Sequence, residues 1–436
     1  MQNTKIKLTA IFALAAASCG AAVWNQNDFA VKCFKACMPD DSASAVCPPF
    51  GISKIAAALG TALPPERRNN IAKTIGLYSD FTMSFGEVRR NAVKPRSRVD
   101  NDIRGMFAIW TPLPISMADP VYVRDIQDNY GGEVLNSMYR EHANHWIDMA
   151  TDGVQWSFLG RNAELSRNDC SLTAAFSATP RFLEPFDPAE SYTNDFKTSR
   201  GAKIKRRYIS GVRTLRTAET PSFKAVALPL KGGLSLWLVK PVTNATAPAV
   251  MQSFSFRSFE SISSALRENP SPLRSQTFES EDFTAAVADG ETLTMRGEGK
   301  FRISFPAFSI RTKLILPPLF RKWGFPLKGF DKISVNAGFG LMVCKTVFTL
   351  GEGGEPEFGD IVVEGEKKTV RKKAAPKDAS AKMTDEELIA ARRAALEKAK
   401  ETPPPEMKFD SQFLFFVWQD DPGIVLFAGR YTGNTR

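Results

Sequence analysis

Two apolar runs, Gly340-Leu-Met-Val-Cys-Lys-Thr-Val-Phe-Thr-Leu350 and Phe413-Leu-Phe-Phe-Val-Trp418, enclose a very different stretch, Gly351 to Lys408. Both runs are rich in β-branched and aromatic residues and read as strands. The stretch between them is dense in Gly, Pro, Lys and Glu and cannot build a core. A connection this long inside a compact domain is either functional or disordered. We read it as the functional loop, displayed by the folded remainder. Within it, Thr384-Asp-Glu-Glu387 is a capping box ahead of an Ala/Glu/Lys/Arg-rich run, which predicts a surface helix over 385–400. Its apolar face is only Leu388, Ala391, Ala395, Leu396 and Ala399, marginal for independent stability. Thr402-Pro-Pro-Pro405 ends it.

Working outward, the pattern before residue 351 divides in two. The first third carries helical spacing. Asn27 to Met38 puts Phe29, Ala30, Cys33, Phe34 and Cys37 on one face, and Ile52 to Leu63 is an alanine-rich helix suited to burial. Pro64 opens another helix through Gly76, and further helices are expected at Pro120 to Tyr130 and Ala143 to Ala150. From Cys170 onward, strands dominate: Leu172 to Ala178, Phe223 to Pro229, Leu234 to Val239, Phe301 to Ile310 and Ile333 to Leu350. Met106 to Thr111 is an earlier strand. Helices followed by strands predict an α+β fold, with helices packed on antiparallel sheet.

The chain has 436 residues, 43% of them hydrophobic, and a formal net charge of +10. It can bury a large core, and no Pro- or Ser-rich linker divides it before residue 351, so one domain is expected over 23–436. The charge favours acidic partners but says nothing about fold. Residues 1–22 read as a secretory signal, with Lys5 and Lys7, an apolar run from Leu8 to Ala17, and small residues at Gly20-Ala21-Ala22. That predicts a secreted, extracellular or cell-envelope protein. A competing reading is a lipoprotein: Ala16-Ala17-Ser18-Cys19 loosely resembles a lipid-anchoring box at Cys19, without the usual leucine three residues earlier. No later run is long and apolar enough to span a bilayer.

Cleavage after Ala22 would leave Cys33, Cys37, Cys47, Cys170 and Cys344. Cys33 or Cys37 could bridge to Cys47 in an oxidising compartment. Alternatively, all five are buried small hydrophobes.

The motifs of common enzymes are missing. The two histidines, His142 and His145, sit beside Glu141 without a third ligand or a zinc-protease pattern. No nucleophile elbow, Walker loop or dinucleotide fingerprint occurs, and no carboxylates pair convincingly. We expect no enzyme activity, no metal and no cofactor. Two basic clusters could meet a polyanion: Arg89, Arg90, Lys94, Arg96 and Arg98, and Lys203, Lys205, Arg206 and Arg207. Neither interleaves aromatics as a nucleic-acid site would, so nucleic acid is not expected, and a solvated face is the plainer reading.

Several separated runs together resemble one family, the serpins. Asn144-His-Trp-Ile-Asp-Met-Ala-Thr151-Asp-Gly153 resembles the family's Asn-x-Trp-Val…Thr-x-Gly helix end, and Tyr130-Gly-Gly-Glu-Val134 the segment before it. Val226-Ala-Leu-Pro-Leu-Lys-Gly232 with Leu234-Ser235-Leu236 is similar to a family strand pair. Phe182 with Pro185-Phe186-Asp187-Pro188 is similar to the turn that follows a central strand. Ile303-Ser-Phe-Pro-Ala-Phe308 with Trp323-Gly324-Phe325, and Phe409 to Val417 with Ile424 to Arg430, resemble the remaining signatures. The last departs from the pattern at Gln412.

The resemblance implies three sheets with eight or nine helices, and an exposed reactive loop at 351–408. A serine-type endopeptidase would cleave this loop, and the cut loop would enter the largest sheet as a new central strand, distorting the trapped enzyme. The bait would lie among Lys367, Lys368, Arg371, Lys372 and Lys373, suiting a trypsin-like protease. The hinge would be Gly353, Gly354, Glu355, Pro356 and Glu357. A central strand tolerates neither interior Pro nor unpaired buried charge. Pro356 removes a ladder donor, and Glu355 with Glu357 or Asp360 would be buried. Family residues near the opening sheet are also replaced, by Pro48, Gly51, Ala174, Phe182 and Cys344. The expectation is therefore a serpin-type fold in which insertion is disfavoured, acting as a protease inhibitor, or alternatively as a non-inhibitory binding protein or protease decoy.

Overall fold

The structure, a computed structural model, describes residues 26–38, 43–76, 102–150, 159–160, 164–243, 246–267, 276–280, 283–288, 292–352, 404–421 and 423–434. Eight α-helices lie among these residues: α1 (26–37), α2 (Pro49–Gly60), α3 (Pro65–Thr74), α4 (Pro120–Tyr130), α5 (Arg140–Ala150), α6 (Ala247–Ser253), α7 (Phe256–Leu266) and α8 (Leu316–Lys322). Several have a clear local cause. α2 and α3 start on proline, whose missing N–H is no loss in a first turn. α4 begins where the Asp119 carboxylate accepts from the Val121 and Tyr122 N–H groups, and ends at Gly131 with φ +58°. α7 is held by a capping box between Ser255 and Ser258. α2 buries eleven of its residues, so its Ala-rich sequence reflects an interior helix with no polar face.

The strands, in chain order, are β1 (Ala45–Cys47), β2 (Asp102–Thr111), β3 (Gly132–Asn136), β4 (Cys170–Thr179), β5 (Tyr192–Lys197), β6 (Lys203–Glu219), β7 (Phe223–Leu230) and β8 (Leu234–Pro241). They continue with β9 (Gln276–Ser280), β10 (Phe283–Ala288), β11 (Thr292–Pro306), β12 (Phe308–Ile315), β13 (Phe339–Leu350), β14 (Glu406–Lys408), β15 (Phe413–Gln419) and β16 (Ile424–Tyr431). β12-β13-β4-β2-β3 form a five-stranded sheet. The others form an eleven-stranded sheet, ordered β1-β16-β15-β8-β7-β6-β11-β10-β9, with β5 on β6 and β14 on β11. The third sheet implied by the resemblance corresponds to the β5-β6-β11-β14 patch. It is hydrogen-bonded into the second sheet because the long β6 pairs with β5 at one end and β7 at the other. The mixed helix and sheet content is the expected α+β class.

The main core lies between the two sheets, and a smaller cluster lies on the other face of the five-stranded sheet beneath α5. Two expected strands are corrected. The apolar run 301–310 is not one strand: the chain leaves the larger sheet at Pro306 and enters the smaller one at Phe308. The run from Ile333 does not become a strand until Phe339, because residues 331–338 form turns with Asn336 at φ +56°.

Candidate functional site

The predicted functional loop leaves the fold at the end of β13 and returns at β14. β13 is central: it runs antiparallel to β12 and parallel to β4. The β13–β4 ladder extends from Phe339↔Cys170 to Phe348↔Ala178, with one irregularity between Phe339 and Leu341. A strand folding back from the end of β13 would run antiparallel to both neighbours. The topology therefore permits a sixth strand here, provided this ladder opens.

Both faces of the seam are covered. On the main-core face, Leu172, Ala174, Phe176 and Ala178 of β4 pack with Met342, Cys344 and Phe348 of β13. On the opposite face, Ala143 and Ile147 of α5 pack with Ala108, Trp110, Ala175 and Val343. α5 is pinned over the sheet by two contacts. Its Trp146 ring meets Trp110 edge-on, 6.1 Å between centroids, and donates from Nε1 to Glu133 Oε2 at 2.9 Å. Asn144 accepts from the Leu159 N–H and donates to the Leu159 carbonyl, at 2.6 and 3.0 Å. Trp110 Nε1 also donates to Thr173 Oγ1 of β4 at 2.8 Å.

Three of the departures from the family pattern, Gly51, Ala174 and Cys344, meet at this seam. Ala174 and Cys344 are register partners across β4 and β13, so an apolar pair stands at the place where the resemblance implies a polar latch. Burial pushes the Cys344 thiol well above the ordinary cysteine value. Gly51 of α2 and Gly105 of β2 both face the Phe176 ring closely enough that a Cβ on either would overlap it. The missing side chain at Gly51 is thus compensated by an aromatic wedge from β4. Phe182, just beyond β4, packs edge-on against Phe186 at 4.8 Å, with Phe305 beside both.

Glu352, in the described start of the loop, is tied to the larger sheet: its Oε1 accepts from Arg207 Nε of β6 at 2.8 Å. Partial burial pushes its carboxyl up. Hydrogen bonds from Arg207 first, then from Ser191 and the backbone, with the Arg207 charge, together outweigh this and leave it below the usual glutamate value. Arg207 belongs to the second basic cluster read from sequence, and its neighbours are also engaged. Lys205 pairs with Asp195 at 2.7 Å. Arg206 donates to the Tyr431 hydroxyl at 3.2 Å and the Gly433 carbonyl at 2.8 Å. This cluster is structural in large part. Its alternating exposure along the start of β6 is the period-2 pattern of a strand, which in the sequence resembles a solvated charge run.

The hinge residues Gly353, Gly354, Glu355, Pro356 and Glu357 lie outside the described residues. So do the candidate bait Lys367, Lys368, Arg371, Lys372 and Lys373, the helix expected at 385–400, and Arg89, Arg90, Lys94, Arg96 and Arg98. The signal segment 1–22 with Cys19 does too. His142 accepts from or donates to Ser137 Oγ through Nδ1 at 2.9 Å. Among the described residues no helix is long and apolar enough to cross a membrane.

A family model described as serpin (serine protease inhibitor) matches residues 24–274. Among solved structures the fold is similar to that of native protease nexin-1 with heparin: TM-score 0.66 and 14% identity, over 95% of this chain and 99% of that one. It is similar to tengpin, a thermophilic serpin in its native state, with TM-score 0.69 and 14% identity over 94% and 93%. Human thyroxine-binding globulin complexed with thyroxine gives TM-score 0.68 and 14% identity over 96% and 100%. No curated protein sequence matched the chain. At these identities the structures speak for the fold, while the family model spans more than half of the residues: the chain belongs to the serpin family.

Proposed function

We propose that this protein is an exported serpin that offers residues 351–408 to a trypsin-like serine endopeptidase, and that it occupies the enzyme without trapping it by loop insertion. The reading is supported most by the seam beside the loop exit. An entering strand would part the β4–β13 ladder between two covered faces, and would carry Glu355, Pro356 and Glu357 into it. An unpaired carboxylate there costs several kcal/mol, and Pro cannot donate to either neighbour. The loop is then a displayed arm, with Lys367, Lys368, Arg371, Lys372 and Lys373 as the residues an Asp-based specificity pocket would take.

The test uses a trypsin-like protease whose nucleophilic serine is replaced by alanine, so that binding is measured without cleavage. The full chain is expected to bind it, and a variant with all five basic residues changed to Gln is expected to bind at least tenfold more weakly. Equal binding by both variants, or none by either, would overturn the reading. A second reading has the arm, or the basic residues Arg89, Arg90, Lys94, Arg96 and Arg98, holding a non-protease partner. It is favoured by the net charge of +10. It predicts retention on an anionic polymer that survives deletion of the bait residues.

A further inference from the structure

The function above leaves one cluster of reactive groups unused. α1 presents Cys33 and Cys37 one turn apart on its buried face, and β1 brings Cys47 against them. The three sulfurs all lie within 4.8 Å of one another, with Cys33 Sγ and Cys37 Sγ 3.8 Å apart. Cys33 and Cys47 are fully buried and Cys37 nearly so. Cys344 of β13 is near enough to influence Cys37 and Cys47 electrostatically, though it is not one of the converging trio. All five described cysteines are free thiols.

The convergence is the informative feature. A disulfide draws two sulfurs to about 2.05 Å and has no use for a third. Three thiolates around one metal at about 2.3 Å stand a little under 4 Å apart. The spacing here, Cys-x3-Cys followed by Cys-x9-Cys, matches no common zinc pattern, so the sequence alone did not mark it.

We propose that Cys33, Cys37 and Cys47 form a buried three-sulfur site for one soft d10 cation, Cu(I) or Zn(II). Thiolates select such metals over hard cations. Binding forms three metal–sulfur bonds and releases up to three thiol protons to solvent, so affinity rises with pH. The site would staple α1 to β1, and because it is sealed in the core, the metal would enter during folding.

The full-length reduced chain is unfolded and refolded without oxygen, in one arm with Cu(I), in one with Zn(II) and in one with neither. After gel filtration, metal per chain is measured, and X-ray absorption reports the coordination shell. The site predicts one retained equivalent in at least one metal arm, with a sulfur-only shell at about 2.3 Å. Cys37→Ala should weaken retention more than tenfold, while Cys19→Ala and Cys170→Ala keep the full equivalent. Folded wild-type chain that retains no metal in either arm would overturn the proposal. So would a nitrogen or oxygen shell, or a disulfide joining two of the three cysteines in protein purified from its expression host. The wild-type shell decides the matter even where Cys37→Ala fails to fold.

Discussion

Cutting the loop should leave the protein's thermal stability nearly unchanged. A strand entering between β4 and β13 would place Glu355 and Glu357 on one face, with Pro356 between them. β4 is buried from Cys170 to Ala178 and so offers neither side chain any water. Keeping one glutamate protonated at pH 7, starting from a reference near 4.3, costs about 3.7 kcal/mol. Two cost about 7 kcal/mol, and the ladder bond lost at Pro356 adds about 1 kcal/mol. Gly353, Gly354 and Glu355, ahead of the proline, return only about 1 kcal/mol per ladder bond. For a chain of 436 residues, an unfolding entropy of about 2.1 cal/mol/K per residue makes 1 kcal/mol worth about 1 °C. The assay compares melting of intact and loop-cleaved protein by circular dichroism, with the cut mapped by mass. The wild-type shift should be under about 2 °C at pH 7 and larger at pH 4, where the carboxylates are mostly protonated. A Glu355→Thr, Pro356→Ala, Glu357→Ala variant removes those costs and should gain several °C on cleavage, about 1 °C for each ladder bond its inserted strand makes. A wild-type rise of that size at pH 7 would refute the reasoning.

Further outcomes follow from the described residues. Gly51→Ala forces a methyl into the Phe176 ring and should cost about 1–3 kcal/mol in urea unfolding; adding Phe176→Ala should relieve part of it, giving non-additivity in a double-mutant cycle. Burial lowers the Lys54 amine to about 8, so the unfolded chain binds more protons than the folded one from there to the unfolded lysine value of about 10.4. Stability should therefore rise with pH across that window, and Lys54→Met should abolish the rise and stabilise by about 3 kcal/mol at pH 7. Glu352 is held below its unfolded value, so its contribution is present above about pH 4.3 and lost as pH falls through the folded value. Arg207→Gln should flatten that part of the acid-unfolding curve.

Much of the fold was legible because local and global signals agree. Pro120–Tyr130 is read to the residue: Asp119, Pro120 and Gly131 mark both ends chemically. The strands at Phe223, Leu234, Phe413 and Ile424 are apolar enough to be unmistakable. The misreadings arise where neighbours decide. Ile303 to Ile310 is mostly apolar because the chain turns a corner between two buried sheets, and only Pro306 hints at it. The start of β6 and residues 297–300 of β11 were missed because exposure alternates along them and the outward positions are charged. At the site, the departures at Gly51, Ala174 and Cys344 could be quoted singly from the sequence. That Ala174 faces Cys344, and that Phe176 fills the place left by Gly51, depends on cross-strand register that no local pattern encodes. The cysteine trio was legible in part: Cys47 was expected beside Cys33 or Cys37 as a bridge, whereas all three are free thiols and their convergence depends on how α1 meets β1 in the folded core.

Denaturing gel electrophoresis after incubation with active trypsin-like proteases asks whether this serpin meets a protease through 351–408 without inserting the loop. A cleaved chain with no covalent protease complex at any ratio or time is expected. A denaturation-resistant band at the summed mass, accompanied by irreversible loss of protease activity, would contradict it.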